Sequence, residues 1–257
     1  MTQTHSKSDA LYVKMRHDIL TLSLAPDSPL RLPAMAERYG IGATPIRECL
    51  NRLSTEKLVV IEHNRGFRVS SISLSELFDL EHSRSAIEGM LFQRAVENGD
   101  DAWEAGLIGA YHQLSRTPAM SVTGTQSDID LWNRRLSAFH DALIAAAGAP
   151  WMQHFQQQLK DQLGRYQLFI QNGLRDLFES HPENAPHVAD IYAKAMATDP
   201  HDDLYQVALA RDVAAARPVF EQHVNLSIRA FQELSALIPA GADVATTLGS
   251  TSQEARA

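Results

Sequence analysis

The stretch Thr44-Pro45-Ile46-Arg47-Glu48-Cys49-Leu50-Asn51-Arg52-Leu53 sorts its side chains onto two faces when wound as a helix. Ile46, Leu50 and Leu53 recur at three and four and form an apolar stripe. Arg47 and Asn51 lie four apart on another face and offer hydrogen-bond donors, with Arg52 next in sequence. A helix in the major groove of duplex DNA needs that division, one face packed and one facing base edges. The unpaired N–H groups of its first turn favour a phosphate, and Thr44 adds a hydroxyl there.

The flanking residues supply the rest of a module. Leu11, Met15, Ile19 and Leu22 predict an amphipathic helix over 9–24, with Ser8 as its cap. Ala25-Pro26-Asp27-Ser28-Pro29 is a turn. Pro33 suits a first helical position and Gly40 the residue after a helix end, so 33–39 reads as a short second helix. The Arg47 helix follows, over about 43–56. Two short strands are expected at 58–62 and 67–71, joined at His63-Asn64-Arg65-Gly66. His63, Arg65 and Arg68 put donors on this hairpin, and Gly66 permits close approach to a sugar-phosphate backbone. Three helices and a two-stranded wing within 9–72 are the plan of a winged helix-turn-helix.

Residue 73 opens a second region. Ser73-Leu74-Ser75-Glu76 has the capping-box pattern, and a long amphipathic stretch runs from it to Asn98-Gly99. Helices are expected at 74–97, 101–115, 128–147, 150–179, 185–197, 201–211 and 212–235, with Pro218 inside the last. The fold class is therefore mainly α. An all-α antiparallel bundle over 73–236 follows the winged helix, and a tail over 237–257 has little to bury and is expected to be disordered.

Charge follows the same division. The chain of 257 residues carries a net charge of −8, yet residues 1–72 hold ten Lys/Arg against seven Asp/Glu, and the remainder thirteen against twenty-four. A mildly basic module joined to an acidic one fits DNA contact by the first alone. No apolar run is long enough for a membrane span, the N-terminus lacks an apolar signal core, and the lone Cys49 has no internal disulfide partner. A cytoplasmic location with no membrane partner is expected. No His-Glu-x-x-His, phosphate loop or nucleophile elbow is found, so the chain is not expected to be an enzyme.

Residues 11–71 resemble the winged helix of the GntR family of bacterial regulators. The likeness is carried by Ile19-Leu20, Leu30-Arg31-Leu32, Tyr39-Gly40-Ile41, Thr44-Pro45-Ile46-Arg47-Glu48, Leu53, Leu58-Val59 and Asn64-Arg65-Gly66-Phe67-Arg68-Val69. Gly42 and Ala43 stand where many members have Ser-Arg, which removes one customary contact. Residues 74–235 are similar to the FCD domain, the helical sensor of the FadR branch. That likeness rests on Arg84 with Glu88, on Phe139-His140-Asp141-Ala142-Leu143 running on to Ala147-Gly148-Ala149-Pro150, and on His201 and His223, eleven residues either side of Asp212.

The resemblance implies a homodimeric repressor on double-stranded operator DNA, controlled by a small carboxylate effector. His140, His201 and His223 come from three expected helices, and a bundle can aim them into one interior. Three imidazoles around an open position suit a divalent metal such as Zn²⁺, which could take the effector's carboxylate. Arg84 is the candidate partner for another part of that anion, and Arg165 and Tyr166 are further candidate effector contacts. Relatives that bind metal place Asp or Asn one turn before the first histidine. Here Leu136 stands there, and Asn133 lies a further turn back. Either three histidines hold the metal, or they meet the effector directly. A metal-dependent hydrolase built on the same histidines is the alternative.

Overall fold

The structure is a computed structural model that describes residues 7–63, 66–118, 124–180, 185–195 and 199–236. The expected tail lies outside them. The element order is α1 (Lys7–Leu20), α2 (Leu32–Tyr39), α3 (Ala43–Thr55), β1 (Val59–Glu62), β2 (Gly66–Val69), α4 (Leu74–Asn98), α5 (Asp101–Ser115), α6 (Gln126–Ile144), α7 (Pro150–Ser180), α8 (Ala185–Ala195), α9 (Asp199–Leu209) and α10 (Val213–Ala236). Two compact units are present. One comprises the chain up to Leu77 together with Lys160–Ile170 of α7; the other comprises Phe78–Leu159 and the chain from Gln171 onward.

In the first unit the apolar stripe of α3 decides the packing. Ile46, Cys49, Leu50 and Leu53 are buried against Leu11, Met15 and Ile19 of α1 and Met35 of α2. Gly40 ends α2 with φ 65°, where a β-carbon is disfavoured, and its N–H returns to the helix. The strands pair antiparallel from Val59 with Val69 to Glu62 with Gly66. Buried Leu58, Val59 and Val69 seal the base of the hairpin onto the helices.

The ends of α1 and β2 fall short of expectation, each for an identifiable reason. α1 stops at Leu20 rather than 24. Leu22 turns left-handed (φ 59°), and the Leu24 N–H donates to the Asp18 carbonyl at 2.8 Å, which tucks Leu24 into the core. β2 stops at Val69 rather than 71, because a side chain from α7 takes the next two carbonyls. Arg165 donates to Ser70 O at 2.9 Å and to Ser71 O at 3.2 Å.

Every regular element of the second unit is a helix among its described residues. Asp100 caps α5 through the Trp103 N–H. Thr125 and Asp128 form a complete capping box, so α6 begins at Gln126, two residues earlier than its pattern suggests. It ends at Ile144, short of the expected 147, before Gly148 turns left-handed (φ 61°). α10 runs through Pro218 as one helix. Phe92, Trp132, Phe139 and Phe220 fill the interior, each fully buried.

Candidate DNA-reading helix and histidine centre

The packing of α3 leaves Thr44, Arg47, Glu48 and Asn51 exposed at a spacing of three and four, so they form one stripe opposite the buried one. Arg47 makes no ion pair among the described residues. Gly42 is the N-cap, extended, with no side-chain bond to the first-turn N–H groups. Those donors are therefore available to a phosphate. Sequence reasoning does not single out Glu48, although its place between Arg47 and Asn51 is the available signal.

Arg52 is exposed and also engaged within the protein. Its guanidinium lies 3.5 Å from the centre of the Tyr12 ring and 3.4 Å from Asp9, both on α1. It ties the back of α3 to α1 instead of joining the Arg47 stripe. In the wing, His63 is exposed and Gly66 is exposed with φ 91°. Arg65 lies outside the described residues. Arg68 braces the hairpin, donating to Glu62 at 3.1 Å and to the Asp27 carbonyl. It is engaged within the protein, with about a third of its side chain exposed.

In the second unit α6, α9 and α10 each deliver one imidazole to a common point. The ring centres of His140 and His201 are 5.5 Å apart, those of His140 and His223 5.1 Å, and those of His201 and His223 4.7 Å. One nitrogen from each lies within 4.8 Å of the others. Tetrahedral Zn–N bonds would set these nitrogens about 3.4 Å apart, so small side-chain rotations suffice. Phe139 presents its edge to His140 and His201 at 5.8 Å. The start of α9 is fixed by Tyr111, which donates to Asp202 at 2.5 Å and stacks on Tyr205 at 3.9 Å.

His223 is 8% exposed, and its Nδ1 has no hydrogen-bond partner among the described residues. Burial first, then the nearby charges of His201 and Arg84, hold its pKa well below the ordinary 6.5, against a raising contact from the Pro200 carbonyl. The imidazole is therefore neutral, the form a metal binds. An orphaned buried nitrogen beside two further imidazoles fits a divalent ion. Leu136 is half-buried and brings no donor, and the cluster holds three ligands among the described residues. A cavity of about 290 Å³ reaches His223 and is lined also by Pro200, Asp203, Gln222, Asn225 and Arg229.

The remaining candidate contacts fall differently. Arg84 lies 5.9 Å from the Phe220 ring, whose other neighbours include His140 and His223. It is already paired, donating to Glu88 at 3.0 Å and to Glu81 at 3.5 Å. Glu88 also accepts from Gln156 at 3.0 Å. Burial and the Glu88 charge raise the Glu81 pKa, and Arg84 lowers it. Glu81 and Gln156 are buried polar residues that sequence reasoning misses, and Glu88, named there only beside Arg84, is buried with them. Carboxylates on the same face of α4 as Leu77 and Leu91 are the signal. Arg165 and Tyr166 are not with the histidines. They belong to the first unit, where Arg165 holds Ser70 and Ser71 and the Tyr166 hydroxyl donates to Glu76 at 2.6 Å. The expectation that they contact an effector finds no support in these contacts. Long polar residues on the apolar face of a helix read as pocket residues in sequence, whereas here they serve a backbone segment.

Comparison with known proteins agrees with this architecture. Residues 7–69 match the family described as bacterial regulatory proteins, gntR family, and residues 76–226 match the FCD domain. The chain is 31% identical over 228 residues to the HTH-type transcriptional repressor GlaR of Escherichia coli K12, covering 88% of this chain and 96% of that one. It is 29% identical to the HTH-type transcriptional regulator BphR of Paraburkholderia xenovorans LB400, covering 92% and 90%. Among solved structures, E. coli McbR/YncC superposes with a TM-score of 0.61 at 19% identity, over 90% of this chain and all of that one. A GntR regulator from Rhodococcus sp. RHA1 gives 0.60 at 16%, over 91% and 100%. These two show the shared fold. No helix among the described residues is long and apolar enough to cross a membrane. With a winged helix, a helical region that matches the FCD domain and relatives that are regulators rather than hydrolases, the chain belongs to the GntR family of bacterial regulatory proteins, in the group that carries an FCD domain.

Proposed function

We propose that the protein is a transcription repressor that leaves its operator when a small carboxylate enters the helical unit. The observation that carries this reading is α3, with four apolar side chains buried and Thr44, Arg47, Glu48 and Asn51 exposed as one stripe. Arg47 would take a guanine edge, Asn51 an adenine edge and Glu48 a cytosine amine. Thr44 and the α3 N-terminus would take a phosphate, and His63, Arg65 and Gly66 would meet the flanking backbone or minor groove. A homodimer would place two such helices about one helical turn apart on a pseudo-palindromic site. The repressor sense is supported by the likeness to GlaR.

In the sensor we propose that His140, His201 and His223 hold a divalent ion, zinc or one of similar preference. Bound there, the ion would leave a position open for a carboxylate. Arg84 has its charge balanced by Glu81 and Glu88, so the ion supplies the attraction for the effector and Arg84 shapes the wall beside Phe220. The cavity beside His223 is small on the scale of ligand sites, which favours a small acid. The test is selection of duplexes from a random library by the full chain, with and without Zn²⁺ and a panel of short carboxylic acids. A palindromic consensus that weakens with one acid is expected. Failure to enrich any sequence would reject the reading.

A further inference from the structure

The contacts of α7 point to a role for residues that the sequence places in the sensor region. We propose that Arg165 and Tyr166 are positioning residues for DNA binding, which set the wing at a fixed angle to the recognition helix. This rests on the reading of the wing as a DNA contact.

Ser70 is the junction at the base of the wing. Its N–H donates to Leu58 O at 3.0 Å, its hydroxyl to Lys57 O at 2.6 Å, and its carbonyl accepts from Arg165 at 2.9 Å. The other arm of the Arg165 fork holds Ser71 O at 3.2 Å. A little further along the backbone, the Tyr166 hydroxyl accepts from Ser73 N at 3.4 Å and donates to Glu76 at 2.6 Å. The same face of α7 also grips the far end of α3. Gln162 donates to the Glu56 carbonyl at 2.9 Å, and Asp161 pairs with Arg16 at 2.5 Å, which in turn pairs with Glu56 at 2.7 Å. Residues 161, 162, 165 and 166 thus fasten both DNA-facing elements to one helix.

Arg165 is a costly residue for a merely structural place. It is 1% exposed, makes no ion pair among the described residues, and its Nε has no partner. A hydrophobic side chain in its place would leave the Ser70 and Ser71 carbonyls without this donor. What only the planar guanidinium provides is a fork that fixes two successive carbonyls together. The family match for the FCD domain spans 76–226, yet Lys160–Ile170 packs within the DNA-binding unit.

The experiment uses the full chain and a duplex of about 30 base pairs, with affinity measured across a salt series and folding followed by thermal melting. Arg165→Met is expected to fold, bind duplex roughly tenfold more weakly, and show a salt dependence shallower by about 2 for a dimer. That figure is about 0.9 for each phosphate that is no longer neutralised, one at each wing. Arg165→Lys should recover part of the slope, since an ammonium can hold one carbonyl. Tyr166→Phe, which removes a single hydroxyl, should move the slope the same way by less, and it carries the test if Arg165→Met fails to fold. Folded variants whose slope equals that of the wild type overturn the proposal. A wild type that binds no duplex rejects the DNA reading itself and this proposal with it.

Discussion

His223→Ala separates a metal centre from three histidines that merely pack. His223 is buried, with its ring centre 4.7 Å from His201 and 5.1 Å from His140, so its loss leaves two of three donors. Zinc at a hundred times its dissociation constant stabilises the folded wild type by about 2.7 kcal/mol. At about 2–4 °C per kcal/mol for a chain of this size, the melting point rises by roughly 5–10 °C. Removing even an outer-shell partner of a metal ligand costs 10–100-fold in affinity, so losing a ligand costs about 100-fold or more. At the same zinc concentration the variant then gains about 0.4 kcal/mol, a shift near 1 °C. The assay is differential scanning fluorimetry of both proteins with zinc and with chelator. An equal zinc shift in the two would refute the assignment of His223 as a ligand, and no shift in the wild type would refute the centre altogether.

Without metal, stability should fall as pH drops through about 6.5, because the unfolded His223 takes a proton that the buried imidazole, with its lowered pKa, refuses. The slope attributable to this one group approaches about 1.4 kcal/mol per pH unit, and His223→Ala should flatten it in denaturant titrations between about pH 5.5 and 7.5. Leu136→Asp, one turn before His140, should add a fourth donor and tighten zinc binding in a competitive chelator titration; unchanged affinity would mean that position does not face the ion. Gly99→Ala should cost about 1–3 kcal/mol, seen as a lower melting point, because a β-carbon there overlaps the Trp103 ring and comes within 2.8 Å of the Ala95 carbonyl.

Much of the first unit is legible in the sequence because periodicity and turn chemistry act locally. The stripe of Ile46, Leu50 and Leu53, the Gly40 stop and the hairpin around Gly66 each depend on a few neighbouring residues, and each stands where expected. The three histidines also meet, though spacing alone does not require it; the likeness to a known domain supplies that expectation. The partners that the sequence does not reveal share a cause. Arg52, Arg68 and Arg165 are long cations whose partners lie 43, 41 and 95 residues away, so local pattern cannot show that Asp9, Asp27 and Ser70 already occupy them. The same holds for Arg84, where neighbouring Glu81 and Glu88 are in view but their burial is not.

The exposed stripe of α3 is tested most directly by Arg47→Ala in the same random-library selection as the wild type. The variant should keep non-specific duplex binding and lose its preference at one base pair in each half-site, at about 1–3 kcal/mol for each bidentate pairing removed. Enrichment of the same consensus with the same affinity would contradict the placement of this helix in the groove.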